Sequence, residues 1–169
     1  FQHPQFGAIE IGGFVKQSQR VPPPFMLEEL CHRNAAFVIY HADQMPRGVW
    51  DDAELKPLGG GTYQLTVPVR NTRLIPSVSA QAARHHIGLP DTLSFDGQGI
   101  TVLAGGLLTD RDTGRMELAE HHPERLRLER GVGSESVVRV RWFLKGQGRA
   151  TVRFASQKAT GLVKELDVR

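Results

Sequence analysis

Val138-Arg139-Val140-Arg141-Trp142 alternates apolar and charged side chains without a break. That is the period of two expected of a β-strand with one face in a core and the other in water. Thr62-Tyr63-Gln64-Leu65-Thr66-Val67 repeats the pattern. Around these two segments, stretches 62–69 and 137–144 read as strands, as do 50–55, 93–95, 100–108, 126–128, 150–155 and 162–168. Glycine-rich breaks separate them, among them Gly59-Gly60-Gly61 and Lys145-Gly146-Gln147-Gly148. Roughly seven or eight such strands over about 120 residues predict an antiparallel β-sandwich of the immunoglobulin/transthyretin-like kind. This domain is expected to span residues 47–169, with only a short helical turn near 79–86.

Ahead of Met45-Pro46-Arg47-Gly48 the pattern is different. Residues 5–15 read as a strand, with Ile9 and Ile11 on one face and Phe6, Ala8, Glu10 and Phe14 on the other. Two apolar faces suit a strand covered on both sides by helices. Residues 16–20 form a polar connection, and Pro22-Pro23-Pro24 then opens a helix, where proline is tolerated in the first turn. Glu28 and Glu29 sit early, as the helix dipole favours. Leu27, Leu30, Cys31, Asn34, Phe37, Val38 and His41 recur at helical spacing to about residue 42. Cys31 falls in that pattern as a buried thiol. A strand-loop-helix unit over 1–46 cannot bury itself alone, so it reads as a piece of a larger α/β layer.

Composition narrows the classes. An excess of 21 basic over 18 acidic residues, with no long basic block, is too weak to argue for nucleic acid or an anionic membrane as partner. No apolar run approaches the roughly 18 residues of a membrane span, and no signal peptide is visible, which leaves localisation open. A single cysteine excludes an internal disulfide. The first residue, Phe1 rather than Met, points to a processed or excised product.

His3-Pro-Gln-Phe-Gly-Ala-Ile-Glu-Ile-Gly-Gly13, followed by Pro22-Pro-Pro24 and a helix containing Leu27-Glu-Glu29, resembles the end of the catalytic domain of zinc carboxypeptidases of the M14 family. In that family a strand bearing the catalytic glutamate is followed, after a short proline-containing loop, by the domain's last helix. The resemblance places Glu10 at the glutamate's position. Bacterial members often carry a β-sandwich behind the peptidase domain. Val69-Arg-Asn-Thr-Arg-Leu-Ile-Pro76 and Val140-Arg-Trp-Phe-Leu-Lys-Gly146 look similar to such trailing domains.

The resemblance implies a parent enzyme that removes C-terminal residues from peptides using one zinc ion. Glu10 would there take a proton from a metal-bound water and pass it to the leaving amine. The family's zinc ligands, a His-x-x-Glu pair and a later His, precede the glutamate, and only nine residues precede Glu10 here. The chain is therefore expected to bind no zinc, to be inactive alone, and to have the upstream remainder of the peptidase domain as its partner. Read from its residues alone, Glu10 is rather a glutamate near a strand end that reaches solvent; the resemblance is what favours a catalytic role. The alternative for the whole chain is a non-catalytic β-sandwich module holding a protein or carbohydrate. Unpaired edges of the first strand also predict a tendency to form homodimers.

Other candidates read as structural. His121-x-x-Glu124 repeats the zinc-binding spacing but lies in a polar loop, where adjacent histidines diverge. His85-His86 reads as a surface pair, and His32 and His41 are too far apart to share a helical metal site. Gly59-Gly60-Gly61 has no following helix or Lys-Ser/Thr and is a turn, not a phosphate cradle. Asp110-Arg-Asp-Thr-Gly114 lacks the spaced acids of a calcium loop and reads as a hairpin turn. Arg139, Arg141, Arg149 and Arg153 alternate with Val140, Trp142, Ala150 and Val152, giving one basic and one apolar sheet face. That basic face is an ordinary solvated surface or a dock for an acidic partner.

Overall fold

A computed structural model describes residues 1–14 and 20–169. The chain divides into two compact units, Phe1–Asp43 and Gln44–Arg169.

In the first unit the strand expected over 5–15 does not form. Two short strands, β1 (Gln2–His3) and β2 (Gly7–Ala8), pair antiparallel instead, and 10–14 follow without regular structure. Val15 and the connection 16–19 lie outside the described residues. A strand needs a neighbour for its N–H and C=O groups, and within this unit the segment can only fold back on itself. The His3 ring closes that turn, its Nδ1 accepting from the Gln5 and Phe6 backbone N–H groups at 3.2 and 3.3 Å. The Ile9 N–H donates to the Phe1 carbonyl at 2.8 Å. The expected helix does form, as α1 (Pro24–Asp43). None of its residues is buried. Cys31, expected inside, is exposed, because within this unit no second layer lies over the helix's apolar stripe.

The second unit is mainly β, and its strands pair antiparallel throughout. The run expected at 50–55 is broken in two: β3 (Gly48–Trp50) and β4 (Glu54–Gly59) both pair with β5 (Thr62–Asn71), leaving 51–53 as an irregular link. Gly59, Gly60 and Gly61 all have positive φ, the left-handed conformation that lets the backbone reverse between β4 and β5. A short helix, α2 (Ala80–His85), follows, capped by the Ser79 hydroxyl, which accepts from the Ala82 N–H at 3.2 Å.

Beyond it come β6 (Asp91–Gly97), β7 (Ile100–Leu108), β8 (Met116–Leu118), β9 (Arg125–Leu128), β10 (Val137–Gly146), β11 (Gly148–Ala155) and β12 (Leu162–Val168). One sheet runs β3-β5-β10-β7-β8 with β4 also on β5, and the other runs β12-β11-β6-β9. Asp110–Gly114 is the β7–β8 hairpin turn, where the Asp110 carboxylate accepts from the Asp112 and Thr113 N–H groups. β8 was not foreseen, since three residues carry too little periodicity to see.

The alternation read from the sequence decides the core. Leu65, Val67 and Val69 of β5 and Val140, Trp142 and Leu144 of β10 face inward from one sheet. Leu93, Val152 and Phe154 face inward from the other, and all belong to a single hydrophobic cluster. Gly48 shows how close the two layers come, since a Cβ there would lie 3.3 Å from the Phe154 ring.

Asn71, buried at the end of β5, ties the loop after it to two other segments. Its Oδ1 accepts from the Arg47 and Arg73 N–H groups, both at 3.1 Å. Its Nδ2 donates to the Ile75 and Gly133 carbonyls at 2.8 and 3.1 Å. Asn71→Asp would set an acceptor against two carbonyls in a buried position. It is expected to lower stability by about 1–3 kcal/mol, read as a reduced urea midpoint at unchanged m-value.

Candidate functional site

Glu10 lies after β2, outside any strand and exposed, with no hydrogen-bond or ion-pair partner among the described residues. Among those residues no three His, Cys, Asp or Glu side chains converge as a metal site. His121 and His122 are both exposed. The contact that forms near them joins His122 Nδ1 to Glu124 Oε1 at 3.1 Å, and His121 takes no part in it. The Glu124 carboxyl is held below its ordinary range, first by its own backbone N–H and then by His122. His32 and His41 are exposed on α1, and His41 stacks obliquely on Phe37 at 5.8 Å.

The four alternating arginines do not share one face. Arg139 and Arg141 lie on β10, which pairs with β5 and β7. Arg149 and Arg153 lie on β11, which pairs with β6 and β12 in the other sheet. The tight turn at 146–148 passes the backbone from one sheet to the other, and alternation along a strand carries no information about which sheet it joins.

Arg139 and Arg141 border an open polar hollow of about 710 Å³ on the β unit. Register builds it. On the outer face of β5, Thr66 stands opposite Arg141, and Pro68 opposite Arg139. The irregular link between β3 and β4 supplies Asp51 and Asp52 along one side, while Arg111, from the β7–β8 turn, stands on the lining as well. Arg70 grips Asp51 through two parallel hydrogen bonds, Nε to Oδ1 at 3.0 Å and Nη2 to Oδ2 at 2.6 Å. Those bonds, reinforced by the nearby positive charge of Arg139, hold the Asp51 carboxyl below its ordinary range. Arg141 Nε donates to the Thr66 hydroxyl at 3.1 Å, which fixes the guanidinium and leaves its terminal nitrogens uncommitted. Trp50 also lines the hollow.

Outward orientation of Arg139 and Arg141 was readable from alternation. The contributions of Asp51, Thr66 and Arg111 were not, because they depend on which strands pair and in what register.

These features define an antiparallel, mainly β domain with a charged outer face. Residues 48–167 match the model of a family described as a domain of unknown function (DUF8731), and the chain belongs to that family. No curated protein matches the chain. Among solved structures it is similar to a β-glycosidase from Bacteroides vulgatus, at 11% identity and a TM-score of 0.36. That match covers 73% of this chain and 14% of the glycosidase. It is also similar to the GAE domain of GGA2p from Saccharomyces cerevisiae, at 6% identity and a TM-score of 0.28, over 73% of this chain and 97% of that one. Likenesses this faint carry nothing about function.

Proposed function

We propose that this chain is the C-terminal region of a zinc-dependent metallocarboxypeptidase that hydrolyses C-terminal peptide bonds. Residues 1–46 would be the last strand, loop and helix of its M14-like catalytic domain. Residues 47–169 would be an accessory β-sandwich of the immunoglobulin/transthyretin-like kind. The observation that carries this reading is α1. Twenty residues of helix bury nothing, while Phe25, Phe37, Val38 and Ile39 are 84, 64, 64 and 70% exposed. A helix this apolar belongs under another layer. The resemblance of His3–Gly13 and Pro22–Pro24 to the M14 family says which layer that is. The same neighbours would replace the β1–β2 hairpin with the paired strand expected there.

The described residues do not fit a zinc site. In the proposed enzyme, as the M14 resemblance implies, the metal ligands belong to other parts of the polypeptide, and the segment around β2 contributes the Glu10 carboxylate, a proton acceptor and donor. A second reading, a non-catalytic module that holds a protein or carbohydrate, draws on the arginine-lined hollow of the β unit.

The test is direct. The complete polypeptide should release the C-terminal residue from an N-blocked dipeptide, while the 169-residue chain alone should release none. Hydrolysis by the 169 residues alone, or none by the complete polypeptide, would contradict the proposal.

A further inference from the structure

We infer that the hollow over β5 and β10 is a binding site for a peptide carboxylate. The inference is independent of any reading of residues 1–46. Arg70 is spent on Asp51, and Glu54 is paired with Lys56 at 2.9 Å. Arg111 and Arg139 have no ion-pair or hydrogen-bond partner among the described residues, and Arg141 uses only its Nε, on Thr66. Three cationic groups thus remain against one uncommitted carboxylate, Asp52, in a depression floored by Thr66 and Pro68.

Planar guanidinium groups match the paired oxygens of a carboxylate or phosphate. Asp52 chooses between them. A phosphate group carries up to two negative charges at neutral pH and would be repelled by Asp52 at close range more strongly than a singly charged carboxylate. A peptide carboxylate carries a single charge and stands beside backbone N–H groups, which Asp52 can accept. The Arg141–Thr66 bond holds one anchor in place before binding, so less side-chain freedom is lost when a ligand arrives. Two sources offer that group, an acidic side chain and the free C-terminus of a peptide.

Trp50 lines the hollow and Trp142 is sealed in the core, so intrinsic fluorescence reports on the site. The whole protein would be titrated with three probes: acetyl-Gly-Glu-Gly-amide, acetyl-Gly-Gly-Gly with a free carboxylate, and sodium phosphate. A saturable change is expected with at least one peptide, and which one binds identifies the source of the carboxylate. The Arg139→Gln/Arg141→Gln pair should weaken binding by about tenfold or more, the scale of one lost charge-assisted hydrogen bond. Arg141→Lys, which keeps the charge but not the fork, should weaken it too. Arg149→Gln/Arg153→Gln on the other sheet should leave binding unchanged. An unchanged thermal midpoint would show each variant folded. Absence of saturable binding by both peptides would overturn the inference. So would equal affinity in the Arg139/Arg141 pair variant, or phosphate binding as tightly as the peptides.

Discussion

Trp142→Ala is expected to lower the stability of the β unit by about 3–5 kcal/mol, a large share of the roughly 5–15 kcal/mol that holds a domain of this size together. Trp142 is fully buried at the middle of β10, with its ring 5.8 Å from that of Phe95 across the core. Its indole N–H donates to the Pro123 carbonyl at 2.8 Å, so the residue also anchors the loop before β9. β7 is shaped around it. Gly105 stands opposite Trp142, and a Cβ there would fall 2.6 Å from the indole Cδ1 and 2.3 Å from the Pro123 carbonyl oxygen. Truncation would leave a cavity the size of an indole and an unpartnered carbonyl, and the rigid two-sheet packing offers little room to collapse. Trp142→Phe should fall between, keeping a ring but losing the hydrogen bond to Pro123. Urea unfolding followed by near-ultraviolet circular dichroism checks both. A loss below about 1 kcal/mol for the alanine variant would be smaller than any cavity of this kind allows.

Most of the β unit was legible because its chemistry is local. Alternation in 62–67 and 138–142 set which side chains face the core, and Leu65, Val67, Val140 and Trp142 are buried accordingly. The glycine run at 59–61 marked a reversal that only left-handed backbone can make at that tightness. What depends on partners could not be read. The strand expected over 5–15 has the right alternation, yet among the described residues its only strand partner is Gln2–His3, so Gly7–Ala8 closes a short hairpin and 10–14 stay irregular. Cys31 carries an apolar signal with nothing in its own unit to bury it.

The same distinction governs the site. Two of the hollow's arginines, Arg139 and Arg141, were visible as outward positions on a strand. Their grouping with Thr66, Asp51 and Arg111 follows from the pairing of β10 with β5 and from the break between β3 and β4. Glu10 was singled out by its sequence neighbours. The structure places it in the open, after β2 and outside any strand.

For the proposed carboxypeptidase, Glu10→Gln carries the largest functional expectation. Glutamine keeps the size and hydrogen-bonding oxygen of glutamate but cannot take up a proton at neutral pH. Removal of a general acid–base group costs about 10²–10⁴-fold in rate. Because substrate would be held by residues elsewhere in the proposed enzyme, the loss should fall on kcat with KM nearly constant. Glu10→Asp, one methylene shorter, should retain part of the rate. The exposed position of Glu10 makes loss of folding an unconvincing explanation for any deficit, and equal thermal midpoints would exclude it. The decisive measurement is kcat and KM of the complete polypeptide on an N-blocked dipeptide, wild type against Glu10→Gln. A fall in kcat of about 10²-fold or more at constant KM is expected. An unchanged kcat, or no hydrolysis by the wild type at all, would contradict the account.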